Sequence, residues 1–167
     1  NEALFKSTVF VFKRIALAIS NSYLPQAAII DVLKFNQEGD LINPKHQYNM
    51  FSGIVGGGYD ISNNLKYKSN ISWSQRAPSI NELYSQGLHH SVAAIEEGDD
   101  QLSPETSLKW LHSLQYSFNE KLRLNVDAYA SRIQNYIYLQ PEEPRLTIRG
   151  AFPVYKYKQT LANIFGT

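Results

Sequence analysis

Residues 71–107 read ISWSQRAPSINELYSQGLHHSVAAIEEGDDQLSPETS, and this stretch decides the fold. It opens inside an alternating run. Over residues 65–74, Leu65, Tyr67, Ser69, Ile71 and Trp73 share one side, and Lys66, Lys68, Asn70, Ser72 and Ser74 share the other. A long polar loop follows, carrying Arg76, Pro78, Asn81, Glu82 and Tyr84. After Ser103-Pro104-Glu105 a second alternating run begins. One-sided strands joined by a long loop at one end are the pattern of a β-barrel that crosses an outer membrane.

The flanking sequence extends this pattern. Residues 108–118 place Leu108, Trp110, His112, Leu114, Tyr116 and Phe118 on one face. Residues 122–131 place Leu122, Leu124, Val126, Ala128 and Ala130 opposite Arg123, Asn125, Asp127, Tyr129 and Ser131. These runs are about ten residues long, near the ~9–11 that cross a bilayer at a tilt and above the ~5–6 of an average soluble strand. Rings near the run ends (Tyr67, Trp73, Trp110, Phe118) fit interfacial girdles. Ser62-Asn63-Asn64 and Asn119-Glu120-Lys121 read as short hairpin turns, with Lys13-Arg14 as another. Long links lie at 36–46, 75–105 and 140–153. A compact soluble domain seldom has a link of about 30 residues without regular structure. The expectation is an all-β, antiparallel up-and-down meander of about seven strands, near 3–12, 15–34, 47–61, 65–75, 106–118, 122–139 and 154–165. Pro25 interrupts the second, and Gly53, Gly56, Gly57 and Gly58 mark a bulge or sharp coiling in the third.

Composition bounds function by exclusion. The 167 residues suit one domain, with no low-complexity linker, and a net charge of +1 gives no electrostatic case for nucleic acid. Tyr (11) outnumbers Phe (8), which fits a water–apolar boundary and equally a Tyr-rich soluble sandwich. The absence of cysteine removes disulfides, thiol nucleophiles and Cys-based metal sites. No apolar run reaches the ~20 residues of a spanning helix. No signal peptide is visible at Asn1, which for an exported barrel puts the start of this chain downstream of the true N-terminus.

The chemistry-bearing clusters are weak. His89-His90, near Glu82, Glu96, Glu97, Asp99 and Asp100, lacks a fixed ligand geometry and reads as solvated loop. The acidic run lacks the alternating ligands and closing Glu of an EF-hand. No GxSxG surrounds any serine, Gly56-Gly57-Gly58 leads into no GK[ST], and Glu142-Glu143 lies between prolines in an expected loop. No catalytic residue, metal or cofactor is expected, and a hydrolase using loop carboxylates is the weakest reading. Lys66, Lys68, Lys156 and Lys158 stack on single faces.

Several separate motifs resemble one family. SQRAPSINELY at 74–84 resembles the barrel motif of TonB-dependent outer-membrane receptors, and GLHH at 87–90 is similar to Bacteroidetes-type versions. GDDQLSPETS at 98–107 resembles the family's GNPxLxPExS approach to the next strand. YIYLQP at 136–141, LTIRGAFPVYKYKQT at 146–160 and DLINPKH at 40–46 are similar to the same subgroup. Where the family has a GxRYD-like segment, this chain departs with AISNSYLP at 18–25.

The resemblance implies a 22-stranded transmembrane barrel around an N-terminal plug, in the outer membrane of a Gram-negative bacterium. It implies active uptake of a bulky, scarce nutrient such as an iron–siderophore complex, haem or cobalamin, driven through a TonB box by the TonB–ExbB–ExbD system. Loop residues Arg76, Asn81, Glu82, Tyr84, His89 and His90 are then candidates for substrate capture. Lys66, Lys68, Asn70, Arg123, Asn125 and Asp127 are then expected to face the lumen and plug, with the opposite face against outer-membrane lipid. No plug or TonB box is found in residues 1–167, which therefore read as a partial barrel domain. An isolated piece with two open edges is expected to self-associate through them. The alternative is a soluble all-β ligand-binding module, a sandwich or small closed barrel with two apolar-faced sheets packed together.

Overall fold

The computed structural model describes residues 6–12, 15–21, 26–35, 40–89 and 92–167. Thirteen strands and one short helix follow in order among them. They are β1 (Lys6–Phe12), β2 (Ile15–Asn21), β3 (Gln26–Asp31), β4 (Lys34–Phe35), β5 (Leu41–Ile42), β6 (Lys45–Met50), β7 (Gly53–Asp60), β8 (Leu65–Arg76), α1 (Ile80–Tyr84), β9 (Gln86–His89), β10 (Ala94–Glu97), β11 (Glu105–Ser117), β12 (Arg123–Thr147) and β13 (Gly150–Gly166). One sheet has the order β1-β2-β7-β8-β11-β12-β13-β10-β9, and β3-β6 and β4-β5 form two small sheets.

Seven of these strands, β1-β2-β7-β8-β11-β12-β13, pair antiparallel with their neighbours. The sheet as a whole is mixed, because β10 lies parallel to β13. An all-antiparallel meander is thus corrected at one edge. Two short turns close hairpins by side-chain chemistry. Ser62 Oγ accepts from the N–H of Asn64 (3.3 Å) and Leu65 (3.1 Å). Asn119 Oδ1 accepts from Lys121 N (2.9 Å) and Leu122 N (2.8 Å). The Ser117 N–H donates to Asn64 O at 2.8 Å and ties the two turns together.

Register fixes the faces. Val55, Ile71, Trp110, Ala130 and Phe165 form one cross-strand row, and Tyr59, Tyr67, Leu114 and Val126 another. The opposite face carries the rows Gly58–Lys68–Ser113–Asp127 and Asp60–Lys66–Gln115–Asn125. The apolar face is uncovered: Trp110 is 49% exposed and Leu124 51%. No second sheet packs against it among the described residues, unlike the two-layer sandwich alternative. The buried core sits instead at the long-loop end, where Ile30, Leu83, Leu102 and Ile137 meet Val32, Tyr48, Tyr84 and Tyr157.

Several expected boundaries move. The run 15–34 is divided between β2 and β3, and 47–61 between β6 and β7. The second break has a local cause: the Phe51 N–H donates to Gln75 Oε1 at 2.9 Å. The link 140–153 is not a loop, because β12 and β13 stay paired up to Thr147↔Gly150. Pro144 is absorbed at a register shift between Glu142 and Arg145. The link 75–105 is likewise structured, holding α1, β9 and β10. The turn at Lys13-Arg14 and the interruption at Pro25 lie outside the described residues.

The expected bulge in β7 is also absent, since its pairing with β8 runs without a shift. Gly56 serves a close approach instead: a Cβ there would lie 1.8 Å from Asn70 Oδ1 and 3.2 Å from Ser69 O. Gly56→Ala should lower the thermal midpoint of the full-length protein, at a cost of about 1–3 kcal/mol from overpacking. Adding Asn70→Ala should recover most of that loss, and a double-mutant cycle with no coupling would remove this explanation.

Candidate functional site

The 76–105 segment is organised by a guanidinium at the end of β8. Arg76 Nη1 and Nη2 donate to Glu82 Oε2 and Oε1 at 2.9 and 3.1 Å, and Arg76 Nε donates to Glu105 Oε2 at 2.8 Å. Glu105 is also the residue opposite Arg76 in the β8–β11 ladder. Its second oxygen accepts from the Ile137 N–H at 2.6 Å. One side chain therefore joins the last row of the wall to α1.

The helix is short but closed at both ends. Pro78 is fully buried, and Ser79 is the N-cap. Its hydroxyl accepts from Glu82 N (3.3 Å), while the Glu82 carboxylate accepts from Ser79 N (2.6 Å), making a capping box. At the other end, Gly98 N and Asp99 N donate to Ser85 O (2.7 Å) and Glu82 O (2.9 Å). This approach demands glycine: a Cβ at Gly98 would lie 2.6 Å from the Leu83 carbonyl carbon and from Tyr84 N. Leu83 and Leu102, exposed by 2% and 5%, fill the core beneath. The Arg-Pro-Ser-Glu-Leu and Gly-Leu-Pro-Glu wording thus spells a structural clasp.

The return to β11 is held by a bulge. Asn135 sits at φ 55°, within the register shift between Ile133 and Tyr136. Gln159 Nε2 donates to Ser103 O (2.6 Å) and Asn135 O (3.0 Å), and Gln159 Oε1 accepts from Ser103 N (3.0 Å). Asn135 Nδ2 donates to Pro104 O at 3.3 Å. Nearby, His46 Nε2 hydrogen-bonds the Tyr84 hydroxyl, and Tyr48 donates to Leu102 O at 3.3 Å. These bonds attach the β3–β6 hairpin to the clasp.

Of the expected capture residues, Arg76 and Glu82 are committed to the clasp and Tyr84 to His46. Asn81 is exposed on α1, His89 is exposed at the end of β9, and His90 lies outside the described residues. Tyr84 also borders a cleft of about 480 Å³, with Ile80, Gln86, Asp99, Asp100 and Lys156. The sequence alone does not point to Lys156 at this cleft, or to Gln159 and Tyr48 in the clasp. Their partners lie far away along the chain, and no local pattern marks them.

The polar-face candidates converge more fully. Lys66, Lys68, Asn125 and Asp127 line a shallow cleft of about 220 Å³ with Ser113 and Gln115. Asn70 lies a row away, opposite Gly56, and Arg123 a row toward the turn, opposite Ser117. Nothing at either cleft has the geometry of a nucleophile and base, or of converging metal ligands among the described residues.

A long-stranded sheet with one uncovered apolar face, one polar face and a clasped loop at one end defines a wall segment of a membrane β-barrel. The chain belongs to the TonB-dependent receptors: the family described as TonB dependent receptor-like, beta-barrel, matches residues 30–167. Barrels of this family sit in the outer membrane of Gram-negative bacteria, and its members are transporters, not enzymes. Among solved structures, the copper transporter OprC matches with a TM-score of 0.60 at 18% identity, over 94% of this chain and 24% of its own. The Serratia marcescens hemophore receptor HasR, in complex with its hemophore HasA and heme, matches at 0.54 and 15%, over 91% and 27%. The Pseudomonas aeruginosa siderophore receptor PirA matches at 0.55 and 14%, over 91% and 29%. At these identities the likeness is one of fold, and the chain spans about a quarter of each of these proteins.

Two outcomes follow for the clasp. Gly98→Ala should free the α1 segment, raising its hydrogen exchange and proteolysis while the β8–β11–β12 ladder stays protected; unchanged loop protection would show that Gly98 is replaceable. The second concerns pH. Burial disfavours the Glu82 carboxylate, but the hydrogen bonds from Arg76 and Ser79 outweigh it and hold its pKa below the usual 4.5. A lowered folded pKa means the stabilisation is complete above the ordinary value and is lost as pH falls through the folded one. Loop protection should therefore persist at neutral pH and fall only in acid below about 4.5, and Glu82→Gln should abolish that pH dependence.

Proposed function

We propose that this chain is part of the barrel wall of an outer-membrane receptor that imports a bulky, scarce nutrient. The observation that carries the reading is the family match over residues 30–167 on a sheet whose apolar face has no protein cover. The full barrel would have 22 strands around a plug, of the Bacteroidetes type by the wording of residues 87–90, 136–141 and 146–160. Transport would draw on TonB–ExbB–ExbD. The nutrient would be an iron–siderophore complex, haem or cobalamin. Support for this class comes from neighbours whose names cite copper, heme and a siderophore.

Within that reading, Lys66, Lys68, Asn70, Arg123, Asn125 and Asp127 look into the lumen, and Ile71, Trp110, Leu114 and Val126 meet lipid. Asn81, exposed on α1, is then the loop group open to a nutrient, with His89 and His90 as further candidates, whereas Arg76 and Glu82 act by holding the loop in shape and Tyr84 is engaged with His46. Disrupting the gene should remove TonB-dependent uptake of one of three labelled probes: a ferric siderophore, haem or cobalamin. Unaltered uptake of all three would count against this nutrient class. Spin labels at positions 110 and 126 of the full-length protein should be quenched by oxygen in the bilayer, and labels at 68 and 127 by a water-soluble nickel chelate. The reverse pattern would overturn the assignment of faces.

A further inference from the structure

β10 takes an unusual route. The chain leaves β8 and re-enters the wall at β11, yet between them it reaches the far edge of β13, beyond both β11 and β12. There Ile95, Glu96 and Glu97 pair in parallel with Val154, Tyr155 and Lys156. β12 already holds the other edge of the same β13 residues, through Glu142, Pro141 and Gln140. The seat is well built: Ala94, Ile95 and Val154 are 3%, 6% and 3% exposed, among the most buried apolar residues described. Arg145 Nη2 donates to Glu97 Oε1 at 2.6 Å, and Tyr157 OH donates to Glu96 Oε2 at 3.5 Å. β9 then covers the outer side of β10.

Below this seat, the same edge of β13 has no partner among the described residues from 157 to 166. That open stretch is ten residues long, close to the ~9–11 that cross a bilayer at a tilt. Backbone groups in hydrocarbon cannot stay unpaired, so another strand must take them. We propose that the edge is shared end to end. β10 is a fixed strap that caps residues 154–156 outside the membrane, and the next strand of the full-length protein pairs only along 157–166. The strap thereby sets the outer limit of barrel pairing at this edge, and keeps an aqueous strand edge from recruiting other chains. The identity of the lower occupant rests on the receptor reading above; the seat of β10 does not.

Residues 1–167 contain no cysteine, so a pair introduced here can be tested in the full-length receptor in outer membranes once any cysteine elsewhere in it is replaced. Adjacent strands lie ~4.8 Å apart, within the ~4.4–6.8 Å Cα separation a disulfide accepts. Ile95→Cys with Val154→Cys should cross-link in most molecules. Glu97→Cys with Lys156→Cys should do the same at a less buried row, in case the first pair disturbs folding. Hydrogen exchange at 154–156 should be equally slow in the oxidised and reduced proteins, because the strap does not leave its seat. Failure of both pairs to cross-link in folded, membrane-inserted receptor overturns the proposal. So does fast exchange at 154–156 that slows only on oxidation, which is the behaviour of a lid. If the receptor reading is what fails, the strap still cross-links but 157–166 exchange freely.

Discussion

The in-register pairing of β11 with β8 on one side and β12 on the other carries the rest of the structure. Twelve residue pairs run without a shift on each side of β11. Among the described residues no second layer covers either face of the sheet there, so the wall is held by its ladder far more than by a core. Both edges of β11 are used, which leaves none of its backbone groups to be satisfied elsewhere. A slip of one residue would exchange the faces and set Trp110 on the polar side, opposite Asn70 or Ser72. The irregularities respect this block: both register shifts of the β12–β13 pair lie at or beyond the end where β11 begins.

Arg76 marks the change from regular wall to folded loop. Its ion pairs are partly exposed, and such pairs contribute only about 0–1 kcal/mol each. The importance of the fork is geometric. A planar donor set engages Glu82 through two nitrogens and Glu105 through a third, fixing the distance and orientation of α1 against the wall. Glu82 is at once an ion-pair partner and half of a capping box, and Glu105 is both a ladder residue and a partner for Ile137 N. Each motif residue thus holds two elements together, so the part of the sequence that best identifies the family is committed to its own fold.

Period-two alternation made β8, β11 and the lower half of β12 legible, because these strands have one apolar and one polar face for their whole length. The two short turns were legible too, since Ser62 and Asn119 build them with their own side chains. Elsewhere the sequence misleads for definite reasons. Pro141, Pro144 and Pro153 read as loop, yet β12 and β13 form the long hairpin's two paired strands and a register shift accommodates Pro144. Gly56 reads as a bulge, but its missing side chain is space for Asn70. The strap was invisible because it rests on backbone bonds between distant segments, β10 to β13, and the clasp's motif residues do not show by themselves which segments they join, as where Gly98 N meets Ser85 O. Backbone pairing of this kind leaves almost no trace in side-chain identity.

The apolar face itself contains polar side chains, and their arrangement follows from where that face is proposed to lie. His112 stands in a row with Gly57, Ser69 and Ala128, midway between Leu108 and Tyr116 on the same face. In hydrocarbon an imidazole without partners would be costly. Here the Tyr67 hydroxyl lies 2.5 Å from His112 Nδ1, and the Trp110 ring lies 4.5 Å away between centroids. The Trp110 indole N–H is in turn spent on Ser69 Oγ at 2.7 Å. All four polar side chains are thus engaged with one another across β8 and β11. On a water-washed surface these bonds would compete with solvent and carry little advantage. Against lipid they remove the main penalty for polar atoms at that depth, so a polar row can interrupt an apolar face without breaking it.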